Sequence, residues 1–583
     1  MPLYRLECDV MADEIKTVET DVLVIGAGGA GMRAAISVND AGLKVVMVTK
    51  SLLGKAHTVM AEGGIAAALG NVDPQDNWTV HYGDIIEEGV YISDWRMAEF
   101  LGKEAPERVL ELERYGALFD RTPDGRIMQR AFGAHTYRRL AHVGDRTGLE
   151  LIKTLEDQVL HRDITFYDEM YITNLLTKDG KIIGAFGIKM TTGEFFVFKS
   201  KATVIATGGS GRVYKVTSNS WESTGDGIGM AYRAGVKLRD MEMIQFHPTG
   251  MVYPPGVKGL LVTEGVRGEG GILLNSKGER FMLKYSPQKK ELDARDVVAR
   301  ANYKEITEGR GTEHGGVYLD ITHKSPDYIK HKLPAMYQQF LEFAGVDITK
   351  EKMEVAPTVH YMMGGIEVEA ETERTNIENL FAAGEVASGL HGANRLGGNS
   401  LADILVFGKR AGDAASNYAR SASLTDVPKE FIDREISYVK GFFKEDAKNP
   451  YDLIDRLTSC MSDNVGIVRD ADHLKKAIEI IDGLKNEFRE VGTKGMIRYN
   501  HGLLGCLELS NMLISCEAIT HCALMREESR GAHTRSDFPK KDKNWKKNII
   551  TYLGADGKMT YEVQPVDPMP KEYEQYVKPE VYE

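Results

Sequence analysis

The chain has 583 residues, 42% apolar and 27% charged, with 73 basic against 85 acidic side chains and a net charge of −12. At roughly 100–200 residues per domain this predicts about three to four folding units with large cores, and it excludes a disordered chain. A net acidic surface argues against a general nucleic-acid binder, whose affinity rests on many Lys/Arg–phosphate contacts.

The N-terminus carries Glu7, Asp9, Asp13 and Glu14 and no apolar h-region, so it reads as lacking a secretory signal. Thr20 to Asp40 reads as a strand, a Gly-rich turn and a helix closing on Gly42, and "LKVVMVTK" follows as a second buried strand. Helical periodicity dominates from Asn77 to Tyr115. Strands are predicted over Thr165–Leu176, Ile182–Met190, Phe195–Phe198 and Ala202–Thr207, the last running into glycines. From about His247 to Pro357 prolines, short strands and charged helices mix, which predicts an inserted domain. "NLFAAGE" at 379–385 returns to a parallel-sheet strand ending in Gly and an acid. Beyond Lys429 the chain reads as helical to about Glu528, and a C-terminal hairpin turns on Asp556-Gly557. The apolar stretch Gly502 to Met525 contains Glu508 and Glu517 and reads as a buried helix rather than a membrane span. Cys8, Cys460, Cys506, Cys516 and Cys522 lack CxxC spacing, so they predict core thiols and no iron–sulfur or other metal site within this chain.

Gly26, Gly28 and Gly31 form GxGxxG between a strand and a helix. The first makes the turn, the second lets backbone approach a pyrophosphate, and the third permits close helix–sheet packing. The second strand ends in Thr49-Lys50-Ser51, where an NAD site would place an acid for the ribose, so FAD is the leading dinucleotide. Thr207-Gly208-Gly209 is a second loop placed to lie under it. His57, His247, His360, Arg295 and Arg395 each admit a plain structural role when taken singly.

"GKAHTVMAEGGIAAALGN" (54–71), "STGDGIGMAYRAG" (223–235), "QFHPTG" (245–250), "TEGVRGEGG" (263–271), "ARD" (294–296), "HYMMGGI" (360–366) and "AGEVASGLHGANRLGGNSLAD" (383–403) occur in the order found in the flavoprotein subunits of succinate dehydrogenase and fumarate reductase. The chain resembles that family over roughly residues 20–540. The resemblance implies an α/β FAD-binding Rossmann-like domain (1–246 plus 358–428), an inserted α+β capping domain (247–357), a C-terminal helical domain (429–540) and a small C-terminal β piece (541–583). It further implies covalent FAD, with His57 bonded to the flavin 8α-methyl; such a bond raises the potential of a flavin that must oxidise the poor reductant succinate. The other implied FAD contacts are Gly26, Gly28, Gly31, Lys50, Ser51, Gly63, Gly64, Asp226, Glu385, Arg395, Ser400 and Leu401, with Asp226 and Glu385 accepting from sugar hydroxyls.

Succinate and fumarate are dianions, and a dry site needs positive partners for both carboxylates. The positions matching the family's dicarboxylate ligands are His247, Thr263, His360 and Arg395. Arg295 matches its proton carrier, fed through Glu264 and Arg267. The resemblance implies membrane anchor subunits and an iron–sulfur subunit as partners, with quinone reached only through them, and a peripheral place on the cytoplasmic face of the membrane. Glu62 occupies a position where family members carry Glu or Gln beside the flavin, and the physiological direction stays open. The competing readings are L-aspartate oxidase, which shares "HGANRLGGNSL"-like motifs but typically lacks the covalent His, and a non-catalytic flavin-binding assembly subunit.

Overall fold

A computed structural model describes residues 15–582. Its centre is the strand Lys16–Ile25, flanked in parallel by Val45–Val48 and Phe195–Ile205, with Val24 opposite Met47 on one side and Val204 on the other. Thr165–Tyr167 extends the parallel sheet beyond Val45–Val48, and Leu380–Ala382 pairs with the end of Phe195–Ile205. Val22, Leu23, Val24 and Ile25 are all buried, as expected of a strand covered on both faces. The antiparallel strands Met170–Lys178 and Lys181–Lys189 attach to the first half of Phe195–Ile205.

Two expectations differ in detail. Thr165–Leu176 is two strands, because Glu169 adopts a left-handed φ of 48° and sends the chain from the parallel sheet into the hairpin. Phe195–Phe198 and Ala202–Thr207 belong to one strand, Phe195–Ile205, whose charged middle, Lys199 and Lys201, pairs at its edge with acids. The helix Gly29–Asp40 packs against Asn399–Ser421 at backbone distance. A Cβ on Gly408 would stand 2.7 Å from the Ala30 carbonyl oxygen, and one on Gly412 2.5 Å from that of Ala34.

The inserted domain is a four-stranded antiparallel sheet in the order Ile244–Met251, Met353–Met362, Val317–Asp320, Ile272–Leu274. The boundaries read at 247 and 357 fall inside its two longest strands, because those strands both leave the FAD-binding unit and open the insertion. Helices Lys429–Lys440, Pro450–Asn464, Ala471–Glu487 and His501–Met525 follow. His501–Met525 is long and apolar enough to span a bilayer, but 72% of its apolar window is buried within the protein, so it is a core helix. The C-terminal hairpin, Lys547–Leu553 with Met559–Pro565, is not a separate piece: it continues a sheet with Leu238–Arg239 and Gly365–Ile366. Cys460, Cys506, Cys516 and Cys522 are buried free thiols, while Cys8 and the acidic N-terminal residues lie outside the described residues.

A Cβ on Gly31 would stand 1.9 Å from the Gly26 carbonyl oxygen, closer than any real contact. Gly31→Ala is therefore expected to push the first helix off the sheet, at roughly 1–3 kcal/mol of overpacking, and to lower Tm together with bound FAD. Thermal melts and flavin content measure both, and an unchanged flavin content would show that this packing does not shape the cleft.

Candidate functional site

The ends of the parallel strands, at Ile25–Gly26, Val48–Lys50, Ala206–Gly208 and Ala383–Glu385, open into one cleft enclosing about 1590 Å³. Ligand sites in open α/β sheets form at such strand ends. Gly26 adopts φ +113°, and a Cβ there would lie 2.2 Å from the Ala206 carbonyl oxygen. The helix Gly29–Asp40 starts at Gly28 with no side-chain cap and no acid in its first turn, so its N–H groups face the cleft ready for an anion. Of the expected FAD contacts, Gly26, Gly28, Lys50, Ser51, Gly63, Gly64, Asp226, Glu385, Arg395, Ser400 and Leu401 line the cleft. Gly31 does not; it serves the helix–strand contact behind it.

Lys50 and Asp226 are tied to each other. Lys50 Nζ donates to Asp226 at 2.6 Å, Glu508 at 2.9 Å and Thr224 at 2.7 Å. The other Asp226 oxygen accepts from Tyr171 and Asn511, both at 2.9 Å. Thr224 Oγ1 adds a fourth donor at 3.2 Å. The expectation of Asp226 as an open acceptor for sugar hydroxyls is thus corrected, since protein donors already occupy it. Glu385 keeps more capacity: one oxygen accepts from the Met362 N–H at 3.0 Å.

At the far end stand His57, His247, Thr263, Glu264, Arg295, His360 and Arg395, all lining the same cleft. The His247 and His360 rings lie 5.1 Å apart. His360 Nδ1 is 2.9 Å from Ser218 Oγ, and His247 Nδ1 is 3.0 Å from the Thr249 carbonyl oxygen. Arg295 Nε donates to Glu264 Oε2 at 2.8 Å, and Glu264 Oε1 accepts from the Gly133 N–H at 2.7 Å. Arg295 therefore pairs with Glu264, not with its neighbours Asp293 or Asp296. Arg267 stands behind, 3.6 Å from the same Glu264 oxygen. Arg395 has no carboxylate partner among the described residues: it donates to Gln245 at 3.0 Å and Ser400 at 3.2 Å, lies 4.5 Å over the Tyr361 ring, and leaves its buried Nε unpaired.

Residues 21–401 match the FAD binding domain family, and residues 454–581 match the Fumarate reductase flavoprotein C-term family. A fumarate reductase (CoM/CoB) flavin-type relative from Methanothermobacter marburgensis is 49% identical over 92% of this chain and 98% of its own length. The succinate dehydrogenase flavoprotein subunit of Coxiella burnetii is 41% identical over 96% of this chain and 98% of its own. Among solved structures, Mycobacterium smegmatis Sdh1 in complex with UQ1 superposes with a TM-score of 0.86 at 49% identity, covering 95% of each chain. The chain belongs to the succinate dehydrogenase/fumarate reductase flavoprotein family. It is accordingly an FAD-dependent oxidoreductase.

The cleft of this family member fits a dinucleotide at its glycine-rich end and an anion at the other. Burial, with Arg295 next, holds the His247 and His360 imidazoles well below their usual range. They enter as neutral donors or acceptors, and the positive charge expected of the whole constellation is carried by the arginines alone. Burial and the facing Arg295 bring the Arg395 guanidinium down to about 9. Burial opposes ionisation of Glu264, but Arg295 and Arg267 outweigh it and hold the carboxyl at about 2. Burial raises Glu385 to about 7 and Glu62 well above the carboxylate range. Sequence reasoning missed Gln245, Tyr361, Asn394 and Glu508. The first two sit in motifs already singled out and are one or two residues from recognised ligands, which was the available signal.

Because the folded Glu264 value lies below its unfolded one, its ion pairs stabilise the fold fully above about pH 5 and lose that contribution as pH falls toward about 2. The unfolding free-energy gap between wild type and Glu264→Gln should stay constant from pH 8 to about 5.5 and narrow below it. Narrowing already between about pH 8 and 6 would mean that Glu264 is neutral in the working range.

Proposed function

We propose that this chain is the catalytic flavoprotein subunit of a complex that interconverts succinate and fumarate. The observation that carries the reading is Arg395, a buried guanidinium on the cleft wall with no carboxylate partner among the described residues. An uncompensated buried cation is costly, and a dianionic ligand offsets that cost. Arg395 would clamp one carboxylate, with Thr263, His247 and His360 completing the hydrogen bonds. When bound, FAD supplies the two-electron acceptor for the hydride. Arg295, on the same wall as His247 and Thr263, would exchange the proton with the second carbon and stabilise the charge that develops there. Glu264 and Arg267 would return that proton to Arg295.

His57 is the proposed point of covalent attachment. Its Nδ1 accepts from the Ser220 N–H at 3.2 Å, which leaves Nε2 for the bond to the flavin. Burial and Arg395 bring its imidazole down to about 4, so it is unprotonated at neutral pH. Electrons would pass to an iron–sulfur subunit, since the cysteine spacing offers no cluster site in this chain, and through it to membrane anchor subunits and quinone. The protein would then sit peripherally on the cytoplasmic face of the membrane. A second reading concerns direction only. The methanogen relative is named a fumarate reductase (CoM/CoB), which favours fumarate reduction with a thiol-linked donor.

Flavin-loaded protein should oxidise succinate with a soluble dye, with malonate competing and L-aspartate inert. Production of hydrogen peroxide from L-aspartate without succinate turnover would favour an aspartate oxidase instead. After denaturing electrophoresis the band should keep flavin fluorescence, and His57→Ser should lose it while retaining dissociable FAD. A colourless wild-type band from flavin-loaded protein would remove His57 as the attachment point. Arg295→Gln should fold and bind FAD but lose several orders of magnitude in turnover. A fall of less than about tenfold, or ~1.4 kcal/mol, would take the proton-carrier role from Arg295.

A further inference from the structure

Gln245 and Asn394 lie behind the arginines of the cleft and do not line it. Gln245 Oε1 accepts from Arg395 at 3.0 Å and from Arg295 at 3.2 Å. Its Nε2 donates to Asn394 Oδ1 at 2.8 Å and to the Arg395 carbonyl oxygen at 2.7 Å. Asn394 Nδ2 in turn donates to Glu88 at 2.7 Å and to Asp296 at 2.9 Å. The second Asp296 oxygen pairs with Arg300 at 2.7 Å. Gln245 and Asn394 are fully buried, so every one of these groups needs its partner.

The chain of amides has only one workable polarity. Turning Gln245 over would set an NH₂ group against two guanidinium groups; turning Asn394 over would set an oxygen against two carboxyls. Negative charge at Glu88 and Asp296 is thereby relayed through two aligned amide dipoles to Arg295 and Arg395, with no carboxylate touching Arg395. A carboxylate there would compete with an incoming ligand, since charged hydrogen bonds are about twice as strong as neutral ones. Burial and the neighbouring Asp296 also push the Glu88 carboxyl well above its usual range, which limits the anionic charge at that end.

The bridge also joins two domains. Arg295 and Asp296 are consecutive at the start of the inserted domain's helix Arg295–Glu305, and Asn394 and Arg395 are consecutive in the loop before Asn399–Ser421. The Asn394–Asp296 bond and the Gln245 bridge are thus two crosslinks between the same two segments.

We propose that Asn394 is a positioning residue which, through Gln245, registers Arg295 of the inserted domain with Arg395 of the FAD-binding domain while keeping carboxylates off the ligand cation. The proposal rests on the dicarboxylate reading for its ligand but not for its geometry. The test therefore has two readouts on flavin-loaded protein. The first needs no ligand: the rate at which phenylglyoxal labels Arg395, followed by peptide mass. It should rise at least about fivefold in Asn394→Ala, because the guanidinium loses its register. An unchanged labelling rate overturns the bridge whatever the ligand does. Should Asn394→Ala lose its FAD, Asn394→Asp keeps the shape, removes the donor to Glu88 and Asp296, and is read in the same way.

The second readout is malonate affinity by flavin absorbance. Gln245→Glu, also isosteric, places a carboxylate between the two arginines and should weaken malonate at least about tenfold, with flavin content and Tm preserved. Affinity within about twofold of wild type would overturn the claim that the amide keeps the cation available. Wild type that ignores malonate while the labelling response persists would sink the dicarboxylate reading and leave the bridge standing.

Discussion

Three buried guanidinium groups, Arg267, Arg295 and Arg395, share one carboxylate, Glu264, and the architecture of the active end follows from that imbalance. Removing cations from water costs several kcal/mol each unless they are paired and hydrogen-bonded. Here the pairing is left short by about two charges, the charge of a dicarboxylate. What makes the deficit tolerable is dispersed: the Gln245 oxygen between two arginines, the Tyr361 ring under Arg395, and the Glu291 carbonyl 2.5 Å from Arg267. Each of these is a partial charge rather than a full one. They hold the arginines in place without neutralising them.

The dinucleotide end solves the opposite problem. There Lys50 is fully compensated, by Asp226 from the FAD-binding unit and Glu508 from the helix His501–Met525. Burial alone would lower the lysine's proton affinity; the two carboxylates outweigh it and raise it. The helical domain therefore reaches the cleft with a charged group of its own, and its longest helix is more than a buttress. With Lys50 committed to these acids, pyrophosphate charge falls to backbone N–H groups at the start of Gly29–Asp40.

What is legible in the sequence is what chemistry makes local. GxGxxG, the runs of buried Val and Ile, and the ordered motifs place the cleft, because strand ends and tight turns write themselves in adjacent residues. The strand Phe195–Ile205 reads as two pieces because Lys199, Ser200 and Lys201 break the apolar run; their partners, Glu19, Thr203 and Asp21, become visible only when the strands are laid side by side. Asp226 looks open in the sequence because Tyr171, Asn511 and Lys50 arrive from three distant segments. Asn394 offers no local signal at all, since its partners Glu88 and Gln245 lie far away in the chain.

The same geometry limits how protons can move in the proposed reaction. Arg295 meets Glu264 at hydrogen-bond distance, 2.8 Å, so exchange between them needs no rearrangement. Glu264 to Arg267 is 3.6 Å, which is an ion pair and not a hydrogen bond. Arg267 meanwhile holds two buried nitrogens, Nε and one terminal NH₂, without a partner. The outer step is thus the open joint of the relay, closed by a small approach of Arg267 or by a bridging water. Glu264 at about 2 is a poor resting place for a proton, and desolvation lowers the proton affinity of Arg267. A carboxylate that cannot keep the proton, set between two guanidiniums, favours passage over storage. The ionised Glu264 then returns each time to the form that holds Arg295 against the cleft.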